Sequence, residues 1–512
     1  MNRSASATTA ATVPTVDAAI DSLRDFPDRL SPIVVKELRQ GLRQPAFVFL
    51  FILFHCILAF IVAVAMLGSS TATFSARADI GETISTMILG AFLIVALLLQ
   101  PLRGLNAIAS ETRAHTIDLL FLSRLDAWQI VYGKWLSLVT QSALLMTTLF
   151  PYLIMRYFLG GMSLFAETSG LLSLFLIGAV FCAGAVGVSV VPSVATRGAV
   201  AVATAAVLIF VTREFTPFLG GWGWEDLDLS DSAWDLATAA FGGLLCLACL
   251  TYALLEFGAT RIAPIAENRS TRKRLISLAA LLLIPLFFLQ SSMEALGLVA
   301  IILIAWVAIA DASCESPHFV GARGRRRTRF LHPGWPSGAL FSGLVVAIAI
   351  AWSVVYSIRF STPSNSTASI GAIGVFLLVV LQPALAVAVF RPHAHQPAGF
   401  YLATLIVWSL LGGLVLFMFA DSHMSDDFAL SIFPMYPLIG LDSVDYRPDL
   451  IAGYATAALI GYLIAIAVIG QVAQDQQAAA GESRNLSGTT ATTPSASQPG
   501  TTATSPPSNH DT

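Results

Sequence analysis

The chain has 512 residues, 56% of them apolar and only 12% charged, with a mean hydropathy of +0.76. Soluble domains carry about 25% charged residues, so this composition excludes an ordinary soluble globule and points to an all-α polytopic membrane protein. A net charge of −3 leaves no basic surplus for nucleic acid.

Residues 1–28 are Ala, Thr, Ser and scattered charge. They contain no apolar run of the kind a cleaved signal peptide needs, and read as a disordered cytoplasmic leader. Residues 29–45 read as an interfacial amphipathic helix. Ser31 suits the N-cap and Pro32 the first helical position. Val34, Leu38 and Leu42 share a face at four-residue spacing, while Lys36, Arg39 and Arg43 lie elsewhere on the circumference, suited to anionic headgroups.

A membrane helix needs about 20 mostly apolar residues. Such spans are expected at 46–67, 83–102, 135–159, 171–191, 199–211, 236–257, 275–289, 295–310, 339–356, 370–390, 400–420 and 451–469, about twelve by that length rule. The pair meeting at Gln290-Ser291-Ser292 reads either as two helices of a hairpin or as a re-entrant pair. If every span crosses, all of the 28 lysines and arginines except Arg77, Arg156, Arg213, Arg359 and Arg447 fall on the side of the N-terminus. By the positive-inside rule both termini are cytoplasmic, in a multi-pass protein of the cell (inner or plasma) membrane. On the opposite side Glu214, Glu225, Asp226 and Asp228 crowd one loop, and Asp421, Asp426 and Asp427 another. These acids serve either as a cation-attracting vestibule or as plain solvation. Residues 471–512 read as a disordered cytoplasmic tail, rich in Ser, Thr, Gly, Pro and Gln.

Catalytic signatures are missing. Gly133-Lys134 is followed by Trp135 and lacks the upstream glycine of a phosphate loop. There is no H-E-x-x-H or G-x-S-x-G, and His393-Ala-His395 lies in a proline-bent loop. Cys246-Leu-Ala-Cys249 has metal-like spacing but sits in an apolar span without an acid or histidine, and reads as packing. Span interiors are nearly free of charge, with Glu256, Asp311, Glu294 and Arg156 at span ends. An ion-coupled carrier keeps ionisable groups at mid-membrane, so this pattern disfavours one.

The most informative stretch is residues 103–134, between the second and third spans. It mixes acids and bases around an apolar run at 119–122. A loop that folds into a short amphipathic helix and docks on a partner would need such residues, and so would one lying on headgroups or on its own bundle. Glu111, Thr116, Asp118, Leu119, Leu120, and then Ile130-Val131-Tyr132-Gly133-Lys134 follow in an order that resembles the coupling segment of ABC type 2 exporter permeases. His115 and Arg124 stand where that family commonly has Gly and Pro. Ser31-Pro32-Ile33-Val34-Val35-Lys36-Glu37-Leu38-Arg39 is similar to the helix preceding the first span in the same family. The resemblance covers residues 31–158, and less clearly the spans up to 257.

The resemblance implies a cytoplasmic coupling helix between the second and third spans, and a six-helix permease-like domain at 46–260. It implies a separate ATP-binding-cassette subunit docked beneath the segment, with ATP and Mg on that partner and no cofactor or enzyme activity in this chain. Glu111, Thr116, Asp118 and Arg124 would then meet the partner, Leu119, Leu120 and Leu122 would fill a groove on it, and Gly133 and Lys134 would lead into the third span. A second permease subunit, either another copy or a paralogue, is expected beside the first. Residues 261–470 contain no second coupling segment and read as an appended six-helix membrane domain. The alternatives are a non-transporting membrane scaffold or, less favoured by the charge pattern, an ion-coupled secondary transporter.

Overall fold

Long apolar runs in lipid have one local solution, because every backbone N–H and C=O must be satisfied within the segment. A computed structural model shows that solution taken at every long apolar run among the residues it describes. It describes residues 32–69, 74–114, 126–157, 164–191, 193–194, 196–202, 204, 233–263, 269–290, 294–315, 331, 333–360, 363–390, 397–419 and 458–472. The leader at 1–28, both acidic loops, the His393–His395 loop, the tail at 473–512 and most of the expected span 199–211 lie outside the described residues.

The elements in order are α1 (Pro32–Arg43), α2 (Pro45–Ser69) and α3 (Phe74–Ile94). A π turn (Val95–Leu99) leads to α4 (Gln100–Gly104), α5 (Ala109–Arg113), α6 (Ala127–Thr147), α7 (Phe150–Tyr157), α8 (Leu164–Val188) and α9 (Ala233–Ile262). Then come α10 (Ser270–Gln290), α11 (Glu294–Ser313), α12 (Trp335–Phe360), α13 (Pro363–Phe390), α14 (Ala398–Phe419) and α15 (Ala458–Val472). Among the described residues, 7 helices are long and apolar enough to cross a membrane. Large apolar side chains stand outward, with Phe60 68% and Ile358 80% exposed. Such exposure suits a lipid-facing surface and is costly in water. The protein is a helical, polytopic membrane protein.

Of the remaining expected spans, those at 275–289, 370–390 and 400–420, and the described part of 451–469, coincide with helices among the described residues. α10 has 21 residues and α11 has 20. At 1.5 Å per residue each is about 30 Å long, so neither is a short re-entrant piece. Lys273 in the first turn of α10 lies 2.8 Å from Asp311 in the last turn of α11, which makes the two antiparallel neighbours.

Proline explains two irregularities. Pro101 has no N–H for the ladder, and just before it the Gln100 amide bonds the Val95 carbonyl, the longer reach of a π turn. Pro383 interrupts α13, and the Tyr401 hydroxyl of α14 donates to the Val380 carbonyl one turn earlier at 3.0 Å.

α9 serves two cores. Cys246, Leu250 and Phe257 join the large core built with α10 to α14. Leu255 and Ala259 join a smaller core with α6 and α8. A third core gathers α2, α3, α7 and α8 around Phe54, Phe92 and Leu149. Cys246 is a free thiol buried among apolar neighbours, in line with a packing role.

Specific contacts bring several helix ends to one end of the bundle. Glu111 after α4 meets Lys134 in α6, Arg269 before α10 meets Asp126, and Arg261 at the end of α9 donates to the Cys314 carbonyl after α11. Arg274 in α10 donates to Ser337 at the start of α12. This end carries Arg103, Arg113, Lys134, Arg261, Arg269, Arg272, Lys273 and Arg274, bases that the alternation of spans assigned to a common side. We call it the basic end.

Candidate functional site

The stretch 115–125 lies outside the described residues, so Thr116, Asp118, Leu119, Leu120, Leu122 and Arg124 do as well, and so does Ser31. Its two flanks are described. α5 leads in, and α6 leads out.

Lys134 organises the flanks. Its side chain is only 6% exposed, and its Nζ lies 2.7 Å from Glu111 Oε1 on α5 and 3.3 Å from Glu37 Oε1 on α1. An ammonium carries three donors and is costly to bury unless they are used. Two carboxylates from two other helices use two of them. The ion triad therefore holds α1, α5 and α6 at one point.

About two turns further into the bundle a polar layer repeats the arrangement. Arg103 donates to Gln100 Oε1 at 2.9 Å, to Gln141 Oε1 on α6, and to Gln44 Oε1 between α1 and α2 at 3.4 Å. Its guanidinium also lies 5.3 Å from the Phe47 ring centre. The apolar face of α1 packs on α6, with Val34 against Ile130. Gly41 permits the approach: a Cβ there would stand 2.3 Å from Gln141 Nε2. The amphipathic character expected of 29–45 is present, and its apolar side faces protein at these positions. Pro32 begins the helix as expected, and Lys36, Arg39 and Arg43 point away as exposed bases.

The exit of the segment is capped. Asp126 is the N-cap of α6, and its amide donates to Gln129 Oε1 at 3.3 Å in a capping box. Asp126 also pairs with Arg269, whose other nitrogen is 3.5 Å from Glu256 on α9. Beside this pair Trp128 stacks near Tyr132 and Tyr252, with ring centres 6.2 and 5.1 Å apart. Gly133 is buried on α6.

A second buried charge cluster holds α10, α11 and α12 together. Lys273 Nζ lies 2.8 Å from Asp311 and 2.7 Å from Glu315, and Arg274 lies 2.7 Å from Glu315. The Gly334 amide donates to Glu315 at 2.8 Å, from a left-handed turn with φ 114° that favours glycine. Burial pushes the Glu315 carboxyl up, but Lys273 and Arg274 outweigh it and hold the group far down, at about 2.

Glu111 and Lys134 were expected in the coupling segment and Glu37 on the helix before the first span; their meeting in one ion triad was not expected from sequence. Asp126, Arg269 and the Lys273–Glu315 cluster were not anticipated. The available signal was the coincidence of acids and bases at the same ends of neighbouring spans. Among the described residues no group of three or more His, Cys, Asp or Glu side chains is placed to hold a metal ion. What the arrangement can do is mechanical: it clamps both flanks of one loop to the helix before the first span. Comparison of the chain with protein-family models, curated proteins and solved structures found no match.

Proposed function

We propose that this chain is the membrane-spanning permease subunit of an ABC-type exporter, moving its substrate with ATP hydrolysed by a separate subunit. The observation that carries the reading is the Lys134 triad with Glu37 and Glu111. A coupling loop transmits force only if its flanks are rigidly joined to the helices it must move. Here both flanks of 115–125 meet at one buried ion triad with α1. On this reading the basic end is cytoplasmic, the chain crosses the cell membrane twelve times, and both termini are inside. The helices at 270–290, 363–390, 398–419 and 458–472 support the count beyond the seven that are long and apolar enough by themselves, and the twelfth span, at 199–211, lies mostly outside the described residues. Residues 261–470 form the second membrane unit, joined to the first through α9. A second permease subunit completes the complex, and Mg and ATP sit on the partner.

An ion-coupled carrier finds less support, because the buried or half-buried acids Glu111, Glu167, Glu256, Asp311 and Glu315 are paired with bases near helix ends. The test is purification of the tagged full chain in mild detergent from its own cells, with and without Asp118→Lys. Recovery of an ATP-binding subunit that the substitution releases is the expected result. Absence of such a subunit from both preparations removes the exporter reading and leaves the scaffold.

A further inference from the structure

Beside the π turn, between α4, α8 and α9, lies a cavity of about 250 Å³. Pro101 and Leu105 wall it on one side, Gly184 and Val188 on another, and Leu254 on a third. Thr204 also lines it, but its hydroxyl donates to the Val200 carbonyl at 2.8 Å and offers the cavity no donor. The space is suited to hydrocarbon.

At the basic end of this cavity stands Arg197. Its Nη1 donates to Asn106 Oδ1 at 3.0 Å, and Asn106 directly follows Leu105 of the wall. The Arg197 side chain is buried, its Nε has no partner, and among the described residues no carboxylate pairs with it. Among the described residues its charged neighbour is another cation, Arg113, at the end of α5. Burial first, and Arg113 second, hold the Arg197 pKa below the ordinary arginine value. A guanidinium removed from water beside a like charge, with one neutral acceptor, is short of an anion. Planar guanidinium forks fit phosphate oxygens.

We propose that Arg197 and Arg113 bind the phosphate of an anionic phospholipid while one of its acyl chains fills the apolar cavity. The two halves of such a ligand match the two halves of the site: charge at the helix ends and hydrocarbon between the helices. Basic pockets between membrane helices recognise anionic headgroups in this way. The proposal does not rest on the exporter reading, and a scaffold could carry the same site. It places a lipid two residues from Glu111, on the flank that Lys134 clamps.

The test uses the full chain, purified in mild detergent and stripped of lipid. It is titrated with phosphatidylglycerol or phosphatidylcholine of matched chains, and bound lipid is counted by native mass spectrometry. Phosphatidylglycerol is expected to bind more tightly. Arg197→Gln and Arg113→Gln should each weaken it about fivefold while leaving phosphatidylcholine unchanged. Arg113 is exposed, so its variant decides the matter even if Arg197→Gln folds poorly. Gly184→Leu should weaken both lipids: its Cβ would meet only Leu254 at 3.8 Å, and the rest of the side chain would occupy the cavity. Equal binding of the two lipids, or unchanged phosphatidylglycerol binding in Arg113→Gln, overturns the proposal. So does displacement by millimolar inorganic phosphate combined with indifference to Gly184→Leu, which would make this a site for soluble phosphate.

Discussion

Arg269, the residue before α10, is paired with Asp126, the residue that caps α6. The contact joins positions 143 residues apart and ties the later helices to the exit of the 115–125 loop. Asp126 therefore does two jobs, and substitutions separate them. Asp126→Asn keeps a good cap and loses the charge. The carboxylate is 48% exposed, so that loss should cost less than about 1 kcal/mol. Asp126→Ala loses the cap too, at about 1 kcal/mol more. Thermal unfolding of the two variants in detergent should rank them in that order; equal Tm values would show that the cap contributes nothing.

Lys134 is the larger risk to stability. Removing one partner of a buried ion group leaves the others uncompensated, and this costs about 3–5 kcal/mol in fully buried cases. Glu37 and Glu111 retain 16% and 18% exposure, so about 2 kcal/mol is expected for Lys134→Met on the same scale. Adding Glu37→Gln and Glu111→Gln to Lys134→Met should recover most of the lost Tm, because no buried charge is then left unpaired. A triple variant no more stable than Lys134→Met would mean that the loss came from packing of the lysine stem.

These examples show what the sequence makes legible. Long apolar runs near 46–67 or 339–356 become helices because lipid allows little else. Glu37, Glu111 and Lys134 stood out singly, through the resemblance of their stretches to a coupling segment and the helix before it. Their meeting was not legible, since it brings together residues 97 and 23 positions apart, a separation that helical periodicity does not encode. The amphipathic pattern of α1 was clear, but a pattern alone does not distinguish a lipid surface from α6 as the apolar neighbour. Gly41 and Val34 are the residues that decide it at this point. The Gln290-Ser291-Ser292 break was ambiguous because polar residues mark both a hairpin and a re-entrant turn. The lengths of α10 and α11, 21 and 20 residues, favour the hairpin, and the ion pair between Lys273 and Asp311 makes the two antiparallel neighbours.

Acid should loosen the α10–α12 cluster. The Glu315 carboxyl titrates at about 2 in the folded protein, against an ordinary value of 4.5. A depressed folded value means that the contribution to stability is complete above the ordinary value and is lost as pH falls from there toward 2. Tm measured from pH 6 down to pH 2.5 should fall in the native chain, and Glu315→Gln should fall less over the same interval. Parallel curves for the two proteins would show that Glu315 contributes nothing to the acid sensitivity. Glu315→Gln should also be less stable at pH 7, where Lys273 and Arg274 lose their shared carboxylate.

The close crossing of α8 and α9 depends on two glycines. A Cβ on Gly187 would stand 2.4 Å from the Leu254 carbonyl oxygen, and one on Gly258 would stand 3.0 Å from the Gly187 Cα. Both obstacles are backbone, which cannot swing aside as a side chain can. Small residues at such crossings let membrane helices approach and gain packing. Gly187→Val therefore forces the helices apart, at an expected cost of about 1–3 kcal/mol. Gly243 on α9 is the control: a Cβ there meets nothing within 4 Å, so Gly243→Ala should be neutral or slightly stabilising. Because α9 belongs to the core shared with α10, moving it off α8 should also draw Arg269 away from Asp126. Cysteines placed by Asp126→Cys and Arg269→Cys stand too far apart for a disulfide, because the native pair meets through the tip of a long arginine side chain; a bifunctional thiol reagent should join them readily in the parent and with Gly243→Ala, and poorly with Gly187→Val. Equal cross-linking in all three would show that the two units are joined independently of the glycine crossing.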